Sequence, residues 1–208
     1  MTSWLHEQRL DAVEQVMQAK KVRTVLDLGC GDGDLVARMA REPRIKRIVG
    51  IDKCDDALGR LRKRLRPISG SMPARIELFH ASLTDHSLRL AGFECALLIE
   101  TIEHIDPERL WSVERSVFSQ MRPRMVIITT PNAEFNRLLG VPSHCFRHPD
   151  HRFEWDRARF RRWAGGVARR HAYAVFCREI AGSHPTLGGA SQMAVFTDHA
   201  FVSDAFAA

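Results

Sequence analysis

Thr24-Val25-Leu26-Asp27-Leu28-Gly29-Cys30-Gly31-Asp32-Gly33-Asp34 decides the fold. A short run rich in β-branched and apolar residues, Thr24 to Leu28, reads as a buried strand, and Asp34 to Arg41 reads as a helix opened by an acid. Between them stand glycines 29, 31 and 33, which admit torsions that other residues avoid and let backbone approach a ligand closely. The spacing is G-x-G-x-G and not G-x-G-x-x-G. Asp27, Asp32 and Asp34 would repel a pyrophosphate, so the turn suits a ligand without phosphates.

Outward from this turn, strand and helix patterns alternate. Arg47 to Asp52 is a second strand and Asp56 to Leu65, with leucines at 58, 61 and 65, a second crossover helix. Pro67 to Pro73 reads as a loop. Ile76 to His80 gives strand three, Cys95 to Ile99 strand four, Pro107 to Gln120 a helix, and Met125 to Thr130 strand five. A Pro131-Asn132 turn and a polar stretch to about Trp155 follow, then a helix from Asp156 to Val167. Ala172 to Phe176 and Gln192 to Phe196 are the final strands, joined by a loop with Pro185, Gly188 and Gly189. Upstream, Leu5, Val13, Val16 and Met17 mark an amphipathic helix over about 3–20. Alternation of this kind predicts a doubly wound, mostly parallel α/β sheet in a single domain over 1–208.

Composition narrows the functional classes. The chain has 208 residues, 45% of them hydrophobic, enough for one core and too few for two ordinary domains. It contains no apolar run of bilayer-spanning length and no signal-peptide pattern near its start, so a soluble, cytoplasmic protein without membrane partners is expected. Five scattered cysteines lack the paired spacing of zinc or redox sites and read as reduced thiols. The net charge is +6, and ten arginines against three acids fall between Arg137 and Arg178. That excess fits a polyanion such as RNA, or else a solvated basic face.

In a doubly wound sheet, ligands sit beyond the carboxyl ends of the strands. Asp52 closes strand two in Gly50-Ile51-Asp52, where a carboxylate can accept both hydroxyls of an adenosine ribose. Together, Asp27-Leu28-Gly29-Cys30-Gly31-Asp32-Gly33 and Gly50-Ile51-Asp52 resemble the first two motifs of class I S-adenosylmethionine-dependent methyltransferases. The resemblance implies that Asp27, Gly29, Cys30 and Gly31 cup the methionine portion and that Asp52, with Lys53 beside it, holds the ribose. It places Ala81, Ser82 and Leu83 beside the adenine, with Ile99 at the end of strand four lining the same site.

Strand four continues into Glu100-Thr101-Ile102-Glu103-His104. On a helix, positions i, i+3 and i+4 share one face, so two carboxylates and an imidazole are expected to converge there. Two close glutamates repel, and a cation holds them together. A mixed oxygen and nitrogen set favours magnesium, manganese or another first-row divalent ion. The same run also resembles ubiquinone-biosynthesis O-methyltransferases acting on small phenols, and a solvated, helix-capping Glu103 is the bland alternative.

Arg147-His148-Pro149-Asp150-His151-Arg152-Phe153-Glu154-Trp155 offers a further histidine for such a site. This run, the E-x-x-E-H segment, Thr130-Pro131-Asn132 and Leu5-His6-Glu7-Gln8-Arg9 together resemble the HEN family of RNA 3′-terminal 2′-O-methyltransferases, from about Leu5 to Phe160. The resemblance implies Glu100, Glu103, His104 and His151 as catalytic metal ligands, with His148 and His144 as rivals for the last place. It implies an RNA 3′ end with a free 2′,3′-diol as substrate, approached through the arginine-rich segment at about 137–178. His6 and Asp156 depart from the family pattern and receive no role. Arg9 faces either the methionine carboxylate or a surface salt bridge. The long N-terminal half of bacterial RNA-repair members has no counterpart in the sequence, so a separate repair or RNA-delivery partner is an open expectation. A small-molecule O-methyltransferase and a non-catalytic RNA-binding scaffold are the competing readings; the first needs an apolar pocket over the cofactor.

Overall fold

The structure, a computed structural model, describes residues 3–66, 74–83 and 90–199. The loop expected at Pro67 to Pro73 lies outside them. Seven strands form one sheet in the order β3-β2-β1-β4-β5-β7-β6. They are β1 (Thr24–Leu28), β2 (Arg47–Asp52), β3 (Ile76–His80), β4 (Cys95–Ile99), β5 (Met125–Pro131), β6 (Tyr173–Ile180) and β7 (Ser191–Asp198). The first five are parallel, whereas β7 runs antiparallel to both β5 and β6. The last two strands are longer than their apolar cores predicted: β6 continues through Arg178 and Glu179 to Ile180, and β7 runs from Ser191 to Asp198.

Strand order reverses at β1 and β4, the position where an open α/β sheet leaves a crevice. The side-chain period of two sends alternate residues to opposite faces. Val25, Cys95, Leu97, Met125 and Ile127 pack with α1 (Trp4–Ala19), α2 (Asp34–Met39) and α3 (Asp55–Leu65). Leu26, Ala96, Leu98, Val126 and Ile128 pack on the other face, with α4 (Leu110–Glu114) and α5 (Arg157–His171). In α3, buried Leu58, Leu61 and Leu65 recur at helical spacing, and each such fully buried leucine contributes roughly 2 kcal/mol. Acids Asp55 and Asp56 at its start and Arg62, Lys63 and Arg64 at its end complement the helix dipole.

In α1 the buried stripe is Leu10, Val13 and Met17. Leu5 joins a small separate cluster with Phe135, Leu187 and Ala190, which ties the start of α1 to the exit of β5 and to the β6–β7 connection. The helix expected over Pro107 to Gln120 is a composite: a 3-10 turn at Pro107–Arg109, then α4, then π-helical turns from Arg115 to Met121. Asp156, left without a role above, is the N-cap of α5 and accepts from Arg159 N at 2.6 Å.

Candidate active site

The glycine turn is fixed by backbone. Gly29 N and Cys30 N both donate to Ile51 O, at 2.8 and 3.0 Å, which docks the turn on the end of β2. Gly29 has φ +84°, and a Cβ there would stand 2.6 Å from Thr101 Cγ2, so this position requires glycine. Gly31, at φ +51°, faces open space instead. Asp52 accepts from Gly31 N at 2.7 Å and from Cys54 N at 2.8 Å, so the acid at the end of β2 orders the turn as well as facing the crevice. Lys53, exposed, accepts at its carbonyl from His80 Nε2 (2.9 Å) and so ties β2 to β3. Ala81 N donates to Asp52 O at 3.0 Å, and Ala81 and Leu83 rest on the core, leaving Ser82 exposed. Ile99 is half-buried against the α1 side.

Asp27 is almost wholly buried beside Asp52, and burial, reinforced by that neighbouring carboxylate, pushes its carboxyl up to about 7. Burial likewise raises the Cys30 thiol, which is inert. The other two acids of the turn are neutralised: Asp32 pairs with Arg60 at 2.7 Å, and Asp34 with Arg64 at 2.5 Å. The repulsion of phosphate expected from three acids therefore reduces to that of Asp27.

Glu100 to His104 is not a helix. Glu100, just past β4, has φ +50°, a left-handed torsion that non-glycine residues seldom adopt, and only Ile102–His104 closes a 3-10 turn. The two glutamates have different partners. Glu100 pairs with Arg9 of α1 at 3.2 Å and accepts from Thr129 Oγ1 at 3.0 Å and from Ser191 Oγ at 3.4 Å. Arg9 thus meets a carboxylate of the site itself, and its Nε donates to Ser191 at 3.2 Å. Glu103 is fully buried, with Oε2 accepting from Thr130 Oγ1 at 3.1 Å while Oε1 has no hydrogen-bond partner. Burial first, and the nearby Glu100 second, hold its carboxyl well above the ordinary range.

His104, His148 and His151 come together, their ligand atoms all within 4.8 Å of one another; neither glutamate belongs to that set. Burial, with His151 and His148 close by, lowers the His104 pKa, so its imidazole is neutral. Arg152 N donates to Glu103 O at 2.7 Å and docks the 148–155 segment on the 3-10 turn. His151 and His148 differ. His151 Nδ1 lies 2.6 Å from Glu154 Oε1, and its side chain is 8% exposed. The His148 side chain is 54% exposed and its Nδ1 accepts from Asp150 N at 3.1 Å. A neutral ring that accepts at Nδ1 carries its proton on Nε2 and has no second lone pair. His151 keeps one. His144 is exposed and outside the cluster.

Several contributors escaped the sequence reading: Thr129, Thr130, Ser191, Arg147, Asn136 and Glu154. Thr130, Arg147 and Glu154 lie inside runs singled out for the resemblance, but none of them was given a role at the site. Arg147, counted above among RNA-approaching arginines, is instead a clamp, donating to Asn136 Oδ1 at 2.6 Å and Ala190 O at 2.6 Å, and also to Asn132 O. Most of the basic segment is similarly engaged. Arg157 pairs with Glu134, Arg161 with Glu179, Arg170 with Glu114 and Arg152 with Asp106; Arg178 reaches Ala12 O, and Arg159 lies over Trp155. Among the described residues, Arg137, Arg162 and Arg169 are exposed and make no such contact.

Residues 25–124 match the methyltransferase-domain family model. The small RNA 2′-O-methyltransferase of Gallus gallus is 36% identical over 92% of this chain and 53% of its own length. That of Xenopus tropicalis is 37% identical over 93% of the chain and 54% of its length, so the chain spans about half of these relatives. The crystal structure of the methyltransferase domain of a bacterial Hen1 superposes with TM-score 0.82 at 36% identity, over 93% of this chain and 99% of that one. Among the described residues no helix is long and apolar enough to cross a membrane.

Proposed function

This chain belongs to the Hen1 family of methyltransferase domains, and from that premise we propose that it moves a methyl group from S-adenosylmethionine to the 2′-hydroxyl of the 3′-terminal nucleotide of RNA, with a divalent metal ion. The observation that carries the reading is the juxtaposition at the sheet's switch point. A glycine turn ordered by Asp52 stands at the end of β1, and past the end of β4 lie a buried carboxylate with an uncommitted oxygen and a cluster of three imidazoles.

The donor set fits a magnesium or manganese ion: Glu100, Glu103, His104 and His151 would hold it. Glu103 Oε1, buried without a partner, is costly unless a cation faces it. His151 takes the last place over His148 because its Nε2 is uncommitted and the His148 ring is oriented by Asp150. Such an ion supplies Lewis acidity toward the ribose hydroxyls.

The chain's own residues supply alignment. The turn at Gly29 to Gly33 and the carboxylate of Asp52 seat the methyl donor, with Asp27, Lys53, Ser82, Leu83 and Ile99 around it. The β4 end orients the acceptor, and holding the two in line contributes a large share of the rate. A grip on neighbouring 2′- and 3′-hydroxyls selects a free RNA terminus over internal nucleotides and DNA.

The test is transfer of labelled methyl from S-adenosylmethionine, with manganese, to a short RNA and to the same RNA lacking only its terminal 2′-hydroxyl. Label on the first alone is expected. Equal label on both places the methyl elsewhere, and label on neither, but on a small phenol, replaces the RNA reading.

A further inference from the structure

The carboxylate of Glu154 has hydrogen-bond partners on both oxygens beside the histidine cluster. Its side chain is 1% exposed. Oε1 accepts from Arg147 N at 2.8 Å and lies 2.6 Å from His151 Nδ1, and Oε2 accepts from Asn136 Nδ2 at 2.6 Å. Both carboxylate oxygens accept from N–H donors, Oε1 from Arg147 and Oε2 from Asn136, so the ring nitrogen that faces Oε1 at 2.6 Å is placed to donate, with its proton on Nδ1. That fixes which tautomer His151 adopts and leaves the lone pair on Nε2.

The same carboxylate closes a loop. Asn136 and Arg147 also bond to each other, at 2.6 Å, so residues 137–146 leave and return at one clamped point. This loop exposes Arg137, Leu138, Leu139 and Phe146 and contains no acid.

We infer that Glu154 is a positioning residue, orienting His151 as a ligand through Nδ1 while anchoring the 137–146 loop to the same point. The inference rests on the metal-dependent reading above. Ligand orientation and loop order then depend on one group, so a disturbance at either reaches the other.

The test uses the full chain with the variants Glu154→Gln, Glu154→Met and His151→Ala. Manganese affinity is measured by calorimetry, and His151 tautomers by nitrogen-15 NMR in metal-free protein. Glu154→Gln keeps an acceptor but no charge. It is expected to retain a near-native thermal midpoint, to bind manganese roughly 10-fold more weakly, and to populate the Nε2–H tautomer of His151. Hydrogen exchange at the Arg147 amide rises with it. Glu154→Met, if folded, shows a larger loss. Native manganese affinity and an unchanged tautomer in Glu154→Gln, where His151→Ala has lost the metal, overturn the role of Glu154. If the wild type binds no manganese, the metal reading fails, and the tautomer measurement, which needs no metal, judges the positioning role separately.

Discussion

From Gly29 to Asp52 the crevice is shaped by backbone: amides of Gly29 and Cys30 on Ile51 O, the amide of Gly31 on Asp52, and the parallel pairing of β1 with β2. From Glu100 to Glu154 it is shaped by side chains drawn from α1, β5, β7 and the 132–155 segment. The first half follows from the fold and needs no strained non-glycine residue. The second stores cost, in the left-handed torsion of Glu100 and the orphaned oxygen of buried Glu103. A cofactor pocket can thus be inherited with the sheet, whereas an acceptor site has to be assembled against its own electrostatics.

Glu103→Gln tests that contrast most severely. Removing the buried charge is expected to depress methyl transfer by roughly a thousand-fold, since several kcal/mol of charge stabilisation go with it. The same change stabilises the chelator-treated protein. Because the Glu103 carboxyl is held well above its ordinary range, its destabilising effect grows as pH rises past the unfolded value, so the gain is read at about pH 9 by thermal unfolding. Loss of activity together with loss of stability at that pH would mean that Glu103 is a fold element and not a ligand.

Asp27 is the one stored cost on the cofactor side. Its carboxyl ordinarily titrates at 3.8 and is raised to about 7 here, so between those values the native state binds more protons than the unfolded chain. Stability therefore falls as pH climbs from about 4 to about 7 and then levels off. Asp27→Asn is expected to flatten that slope, by roughly 2 to 4 kcal/mol across the window, in urea unfolding at about pH 5 and pH 8. An unchanged slope would assign the pH dependence to Glu103 and leave the cofactor half free of strain.

The sheet and the cofactor turn were legible because each is written in contiguous residues: a five-residue apolar strand, three alternating glycines, an acid closing the next strand. The helical reading of Glu100 to His104 failed because spacing records periodicity but not torsion. A positive φ at Glu100 breaks the i, i+3, i+4 relation at its first member. Thr129 read only as strand and Thr130 only as part of a resembling run, yet consecutive strand residues face opposite sides, and each serves a different glutamate. Arg147 shows the converse: composition counts a guanidinium without revealing that backbone carbonyls consume it.

The smallest expected effect concerns that charge count. If the 137–178 segment meets RNA, the work falls to the arginines that make no internal contact among the described residues, Arg137, Arg162 and Arg169. Removing one arginine–phosphate pair lowers the dependence of log affinity on log salt by about 0.7 to 0.9, so alanine at each position is expected to weaken RNA binding a few-fold at low salt and to reduce the slope by nearly one. Arg161→Ala, which breaks a pair with Glu179 at 2.5 Å, leaves the slope unchanged. If all four substitutions alter the slope equally, the pair with Glu179 opens on binding and the segment acts as a uniform basic face. If none does, the RNA is held at its end alone, by the β4–β5 groups, and the acceptor half carries recognition as well as chemistry.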